Sequence, residues 1–188
     1  IYQRLKPRFP DLFLVMVPRH AERSKEAGRE MEALGVKVVY RTELTQKSAY
    51  PSGSVDCLLV NTTGELKYFY EHATVIFVGK SLNAHGGQNP IEASAVGCPV
   101  IVGPHTFNFS VVCTQAIEVG AALRAANIEE GLGMALELLD NPARRKAMSE
   151  AGSRFAQSHR GATGRTLDLL TPLLRTAQPR RPSQRDPE

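Results

Sequence analysis

Short apolar runs alternate with longer amphipathic stretches along most of the chain. The run at residues 12–17 (LFLVMV) is continuous, which is typical of a strand covered on both faces of a parallel sheet. The other predicted strands lie at residues 36–40, 57–60, 75–78, 99–102 and 121–124. The stretches between them predict helices at residues 21–34, 64–73, 90–96 and 109–119. This alternation predicts an α/β domain, in which helices cover both faces of a mostly parallel sheet.

The C-terminal part of the chain changes character. Three further helices are predicted at residues 128–139, 143–157 and 163–175, so the folded domain is expected to span residues 1–175. Residues 176–188 are rich in Pro and Arg and have few apolar side chains to bury, which predicts a disordered tail. Because the chain begins with Ile1 and enters a helix at once, we expect it to be a piece of a longer protein.

Charge and cysteine usage exclude several classes of protein. The net charge is +4 over 188 residues, and residues 175–188 supply +2 of it, from four Arg against one Asp and one Glu. The body therefore lacks a strongly basic face, and no nucleic-acid partner is expected. The three Cys are far apart and lie in apolar runs, which favours buried thiols over disulfides or a metal cluster. No apolar run approaches the roughly 18–20 residues of a membrane span, and no metal-ligand spacing such as His-Glu-x-x-His occurs.

In open parallel sheets, ligands bind at the carboxyl ends of the strands, so the residues after each strand are the candidate site. Arg19 and His20 follow the first strand. Arg19 can hold a phosphate through a planar, permanent charge, or it can be a solvated side chain paired with Glu22. His20 can donate to the same phosphate or orient a neighbouring group.

The third strand is followed by Thr62-Thr63-Gly64-Glu65, which predicts a helix start with Thr62 or Thr63 as N-cap. Gly64 would let a ligand approach the backbone, and free N–H groups of the first turn would contact it. An ordinary capped helix explains the same residues.

The most informative segment is residues 79–92, GKSLNAHGGQNPIE. Asn89 is predicted to cap a helix that has Pro90 in its first position and Glu92 in its third. A capping box would account for Asn89 and Glu92 but leaves the glycine pair Gly86-Gly87 unexplained. We therefore favour a nucleotide site, in which this loop meets a phosphate and Glu92 binds ribose hydroxyls. After the fifth strand, His105 and Asn108 are further residues that can face this cleft.

These motifs, in this order and with these gaps, resemble the C-terminal half of bacterial 3-deoxy-D-manno-octulosonic acid (Kdo) transferases. The resemblance rests on these residues: Pro18-Arg19-His20 with Glu22-Arg23, Gly64-Glu65-Leu66, Phe77-Val78-Gly79 with Ser81-Leu82, Gly86-Gly87 with Asn89-Pro90 and Glu92, and Gly103-Pro104-His105 with Asn108-Phe109. It covers residues 2–174.

The resemblance implies a Rossmann-like domain, the donor-binding half of a GT-B glycosyltransferase of lipopolysaccharide synthesis. The donor would be CMP-Kdo and the acceptor a lipid A precursor. The implied donor-binding residues are Arg19, His20, Gly64, Glu65, Ser81, Gly86, Gly87, Asn89 and Glu92.

The family also implies catalysis without a metal or cofactor, with the general base in an N-terminal domain that this chain lacks. That domain would bind the lipid A precursor and associate with the cytoplasmic face of the inner membrane. We therefore expect the chain alone to be soluble and inactive.

Four positions depart from the family's usual pattern. Lys80 stands where Gly is usual, Gln88 where His is usual, and Ala93-Ser94 where Pro-Ala is common. Gln88 adjoins the expected phosphate loop. Two alternatives therefore stay open: a GT-B transferase that uses a UDP- or GDP-sugar, and a non-catalytic nucleotide-binding domain.

Overall fold

A computed structural model describes residues 1–83 and 86–176 of the chain. The chain divides into two compact units, Ile1–Ala156 and a second unit that begins at Gln157. The six strands of the described residues belong to the first unit and form two parallel sheets of three strands each. The parallel α/β architecture is therefore confirmed, although the strands that were expected in one sheet fall into two.

The first sheet consists of β1 (Leu14–Met16), β2 (Val38–Tyr40) and β3 (Cys57–Leu59), in the order β1-β3-β2. The helices α1 (Tyr2–Leu5) and α2 (Ser24–Ala33) precede β1 and β2. On one face, Met31 of α2 packs with Val36 and Cys57, and Tyr2 of α1 joins the same cluster. Burial of these side chains is the main force that holds the helices on the sheet.

A glycine permits the close approach of α2 to β2. A Cβ atom at Gly28 would lie 2.0 Å from the hydroxyl oxygen of Tyr40. Only glycine at this position lets the Tyr40 ring pack directly against the helix.

The second sheet consists of β4 (Ile76–Val78), β5 (Val100–Val102) and β6 (Ala122–Arg124), in the order β4-β5-β6. The connecting helices are α3 (Leu66–His72), α4 (Ile91–Ala95) and α5 (Ser110–Glu118). The helices α6 (Ile128–Asp140) and α7 (Pro142–Ser158) follow β6.

Both faces of β5 are buried, which explains its continuous apolar sequence. Val100 and Val102 pack with Ala93 of α4 and Ala116 of α5 on one face. On the opposite face, Ile101 belongs to a cluster with residues of α1, α6 and α7, namely Leu5, Leu132, Ala135, Leu138 and Met148. The prediction of helices on both faces is confirmed for this sheet.

β1 lies at an edge of the first sheet, and β4 lies at an edge of the second. The outer side of each of these two strands has no strand partner among the described residues. Leu14 N donates to Asp56 O and Val60 N donates to Met16 O, so these two β1 residues direct their backbone groups at β3. In a parallel ladder, the residue between them, Val15, directs its backbone groups the other way. The same alternation directs the backbone of Phe77 away from β5, because Ile76 N donates to Pro99 O.

In the second unit, the described chain forms the helix α8 (Ala162–Thr176). Five leucines of this helix are exposed: Leu167, Leu169, Leu170, Leu173 and Leu174. The segment predicted to be disordered, 176–188, lies outside the described residues except for Thr176, which ends α8. Within the described part of the chain, none of the helices has the length and apolar character needed to cross a membrane.

Candidate nucleotide-binding site

The loops that carry the candidate site residues lie at the carboxyl ends of the strands, and these ends share one edge in each sheet because all the strand pairs are parallel. Arg19 and His20 follow β1, and Glu65 lies in the loop after β3. The loop after β4 runs to Asn89, with Ala84 and His85 outside the described residues.

Arg19 connects the edges of the two sheets. Its Nη1 donates to Oε1 of Gln88 at 2.5 Å, across 69 positions of sequence. Arg19 therefore contacts the loop between β4 and α4, which contains Gly86 and Gly87 and which we call the Gly-rich loop, and not Glu22, the alternative partner. His20 is exposed and precedes a 3-10 turn at Ala21–Arg23, with no hydrogen bond from its side chain to the turn.

The two glycines of the loop after β4 are buried and serve close packing. Gly86 has a φ of 75°, in the region that favours glycine, and a Cβ there would lie 2.7 Å from Nδ2 of Asn108. A Cβ on Gly87 would lie 3.1 Å from that of Ser81. The glycines therefore bring the loops after β4 and β5 together, a reason for their presence that does not require a ligand.

Ser81 joins the ends of β4 and β5 from a fully buried position. Its hydroxyl donates to the Val78 carbonyl at 2.6 Å and accepts from the Gly103 N–H at 2.7 Å. Its backbone carbonyl accepts from the N–H of His105 at 2.9 Å. The donor contact predicted for the Ser81 side chain would have to compete with these bonds.

The start of α4 differs from the sequence prediction by one residue. Pro90, not Asn89, occupies the N-cap position, so Glu92 is the second helical residue. Asn89 still satisfies the helix start, since its Oδ1 accepts from the Ile91 N–H at 3.0 Å. The shift arises because the Asn side chain reaches the first helical N–H from one position further back.

Glu92 is exposed and lies near α3. Burial of Tyr70 on α3, together with the negative charge of Glu92, raises the pKa of the Tyr70 hydroxyl. An exposed carboxylate between the Gly-rich loop and α3 has free lone pairs for hydroxyl groups.

The helix start after β3 also corrects a prediction. The N-cap of α3 is Glu65, not Thr62 or Thr63. Thr62 instead donates its hydroxyl proton to the Glu65 carboxylate. Gly64 has a φ of 87°, and a Cβ there would meet nothing within 4 Å, so the backbone is open to approach at this position.

Sequence reasoning missed Arg41, which follows β2. Its Nη2 donates to Oε1 of Glu65 at 2.8 Å. The rule that selected Arg19, a cation directly after a parallel strand, applies equally to Arg41. The Thr62 hydroxyl and the Arg41 guanidinium together lower the pKa of Glu65.

Thiols and metal-ligating groups add nothing to this site. All three Cys are free and buried, as predicted. Among residues 1–83 and 86–176, His, Cys, Asp and Glu side chains form no group of three or more that could hold a metal ion.

The geometry defines a class of protein. A parallel α/β domain with a cation, a glycine loop and carboxylates at the carboxyl ends of its strands has the groups that sites for nucleotides and other phosphorylated ligands use. The comparison with known proteins is more specific: the chain belongs to the glycosyl transferases group 1 family, which matches residues 2–155.

Two curated relatives carry the same name, 3-deoxy-D-manno-octulosonic acid transferase. The protein of Bordetella pertussis is 47% identical over 161 residues, which are 86% of this chain and 37% of the relative. The protein of Haemophilus influenzae is 34% identical over 174 residues, 92% of this chain and 40% of the relative. The chain thus spans about two fifths of the length of these relatives.

A solved structure matches the fold. The crystal structure of the C-terminal CMP-Kdo binding domain of WaaA from Acinetobacter baumannii superimposes with a TM-score of 0.74 at 28% identity. The match covers 84% of this chain and 81% of that one. The resemblance to Kdo transferases and the Rossmann-like, C-terminal GT-B fold expected from it are confirmed.

Proposed function

We propose that the full-length protein is a glycosyltransferase that moves Kdo from CMP-Kdo to a lipid A precursor, and that this chain is its donor-binding domain. The support is the similarity to proteins named as Kdo transferases and to a domain named for CMP-Kdo binding. Lipopolysaccharide biosynthesis follows as the process in which it acts.

The observation that carries the proposal is the contact between Arg19 and the Gly-rich loop. One of the five N–H groups of the guanidinium is directed at Gln88, which leaves donors for a phosphate between the two sheets. Glu92, at the far end of the same loop, would accept hydrogen bonds from the ribose hydroxyls. Gly64 would let the nucleotide approach the backbone, while Ser81, Gly86, Gly87 and Asn89 keep the loops in place around it.

The reaction is a displacement at the anomeric carbon of Kdo. The acceptor oxygen forms a bond to that carbon, while the bond to the phosphate oxygen breaks and CMP leaves with the electron pair. Arg19 would stabilise the charge that develops on the phosphate, without a metal or cofactor. The proton of the acceptor hydroxyl goes to a general base, which we place in a part of the protein outside this chain.

The acceptor is a membrane lipid, so we place the full-length enzyme at the cytoplasmic face of the inner membrane. Contact with the lipid A precursor and the membrane would be made by other parts of the protein.

Calorimetric titration of the 188-residue chain with CMP, UMP and GMP, with and without EDTA, tests the proposal. We expect CMP to bind most tightly and EDTA to have no effect. Tighter binding of UMP or GMP would assign the chain to a transferase with another donor. Loss of CMP binding on chelation would overturn the metal-free reaction.

Substitutions separate the phosphate site from the ribose site. Loss of a charge-assisted contact costs about 1.5–3 kcal/mol, roughly ten- to a hundredfold in affinity. Arg19→Ala should therefore weaken CMP by this factor and leave cytidine, which has no phosphate, nearly unchanged. Glu92→Ala should weaken both ligands, because both keep the ribose hydroxyls. Arg23→Ala, which removes an exposed cation four positions from Arg19, is the matched control and should change neither. Equal losses for CMP and cytidine in Arg19→Ala would contradict the phosphate role.

A further inference from the structure

The helix α8 presents apolar side chains to solvent along one face. Its leucines are between 45% and 74% exposed: Leu167, Leu169, Leu170, Leu173 and Leu174. Successive residues of an α-helix are about 100° apart around its axis, so these five side chains fall within an arc of roughly 160°. We call this arc the leucine face of α8. An apolar face of this width is normally covered, because apolar surface left in water forgoes the free energy of burial.

The opposite side of α8 is polar and carries the charges of the helix. The same spacing places Arg165, Asp168 and Arg175 on that side. The Thr171 hydroxyl, also on the polar side, donates to the Leu167 carbonyl at 2.7 Å, within the helix itself. The helix is therefore amphipathic, with leucine on one side and mainly arginine among the charged residues of the other.

The part of the chain that contains α8 is basic. Residues 157–188, the second unit, contain six Arg against two Asp and one Glu, which gives a net charge of +3. The much longer first unit, residues 1–156, carries only the remaining +1. Three of these arginines, Arg180, Arg181 and Arg185, follow α8 in the sequence. A leucine face combined with a local excess of Arg is complementary to an anionic lipid surface, which offers acyl chains to the one and phosphate groups to the other.

The composition of α8 favours a lipid surface over a protein partner. Protein interfaces draw most of their binding energy from Trp, Tyr and Arg anchors seated in pockets, and leucine is under-represented among them. Residues 162–176 contain no aromatic residue. Leucine enters acyl chains without a shaped pocket, and long Arg side chains reach the headgroups from the polar side. Because α8 lacks the length and apolar character of a membrane span, its amphipathic pattern suits a position in the plane of the membrane.

We propose that α8 lies on the surface of an anionic membrane, with its leucine face among the acyl chains and its arginines at the phosphate headgroups. This contact is additional to those that we assign to parts of the protein outside this chain, and it keeps the donor-binding domain at the membrane. The inference rests on the proposed function in one respect, since a lipid acceptor is what makes a membrane the expected partner.

The first test is sedimentation of the 188-residue chain with lipid vesicles. We expect binding to vesicles of equal parts phosphatidylglycerol and phosphatidylethanolamine, and weaker binding to phosphatidylcholine. A leucine that leaves water contributes a factor of roughly ten. Leu170→Gln combined with Leu174→Gln should therefore lower the partition coefficient about a hundredfold. The matched control is Leu34→Gln with Val119→Gln, which removes two exposed apolar side chains of the first unit and should leave binding unchanged.

The second test concerns charge. An Arg near an anionic membrane surface contributes about fivefold to binding. Arg165→Gln combined with Arg175→Gln should therefore weaken binding to the phosphatidylglycerol vesicles about 25-fold and leave binding to phosphatidylcholine unchanged. Lys25→Gln with Arg29→Gln, which removes two exposed cations of α2, is the matched control and should have no effect. The unsubstituted chain gives the same information without any variant, because rising salt should weaken its binding to the anionic vesicles.

Binding that the leucine substitutions leave unchanged, or no binding to anionic vesicles, would overturn the inference. In the second case, sedimentation velocity identifies the occupant of the leucine face. A dimer that the leucine substitutions dissociate would assign the face to a second copy of the chain, and a monomer would assign it to another part of the protein.

Calorimetry with CMP on the same samples separates this inference from the proposed function. The leucine variant should bind CMP as the unsubstituted chain does, since α8 carries none of the proposed donor-binding residues. CMP binding without vesicle binding would overturn the membrane contact alone. Vesicle binding without CMP binding would overturn the proposed function and support the membrane contact.

Discussion

Lys80 occupies a backbone conformation that its side chain disfavours. Its φ is 68°, the only positive φ of a residue other than glycine in the described chain. A Cβ atom in the left-handed region costs roughly 1–2 kcal/mol, whereas glycine adopts it freely. Glycine has more conformational freedom in the unfolded chain, which offsets about 0.4–1 kcal/mol of the gain. Lys80→Gly should therefore stabilise the fold by about 1 kcal/mol, or raise the melting temperature by roughly 2–4 °C for a domain of this size.

The control is Lys80→Ala, which removes the same charge and keeps the Cβ atom. Because the Lys80 side chain is exposed, its loss alone should change the stability by less than about 0.5 kcal/mol. Thermal melts of both variants, followed by circular dichroism, separate backbone strain from charge. A Lys80→Gly melting temperature equal to or below that of Lys80→Ala would refute the reasoning.

Two further predictions concern acid stability and thiol reactivity. The Lys37 N–H and, after it, contacts to Lys6 and Tyr2 hold the pKa of Asp56 below its ordinary value of 3.8. The stabilisation of the fold by the Asp56 carboxylate is therefore present above that pH and is lost as the pH falls towards the depressed pKa. Asp56→Asn should cost about 1–2 kcal/mol at pH 7 and progressively less below pH 3.8 in urea titrations, and a pH-independent difference would contradict this account. Burial raises the pKa of Cys57 and Cys98 to about 12 and also raises that of Cys113, so all three should react with an aromatic disulfide reagent at pH 8 only after denaturation. Rapid reaction of any of them in the native protein would be inconsistent with the buried positions.

Local patterning was sufficient to predict the elements of the fold. Each predicted strand is present, and the glycines that directly follow the predicted helices 21–34 and 90–96, at positions 35 and 97, have φ values of 79° and 72°. The division into two sheets could not be predicted, because an apolar run predicts a strand without identifying its neighbours. Parallel pairing depends on contacts between residues far apart in sequence, such as Leu14 with Cys57.

The same limit applies to the site. The rule about the carboxyl ends of strands selected Arg19, Glu65 and Glu92, which follow β1, β3 and β4 in the structure, but it could not identify their hydrogen-bond partners. The contact of Arg19 with Gln88 spans 69 positions, and that of Arg41 with Glu65 spans 24. The departure at Gln88 now has a structural account, since its amide oxygen is the acceptor for Arg19. Nothing in the local sequence distinguishes Ser81 as a buried connector rather than an exposed ligand contact.

The unpaired edges of β1 and β4 have a practical consequence. Backbone donors and acceptors at Val15 and Phe77 lack a strand partner among the described residues, and the side chains of Phe13 and Val15 are 50% and 38% exposed. Such an edge is a template for any extended segment, from the same polypeptide or from a neighbouring molecule. Concentrated solutions of this chain should therefore self-associate by strand addition. A single charge introduced at Val15, a lysine for instance, would be the first substitution to make before crystallisation or spectroscopy at high concentration.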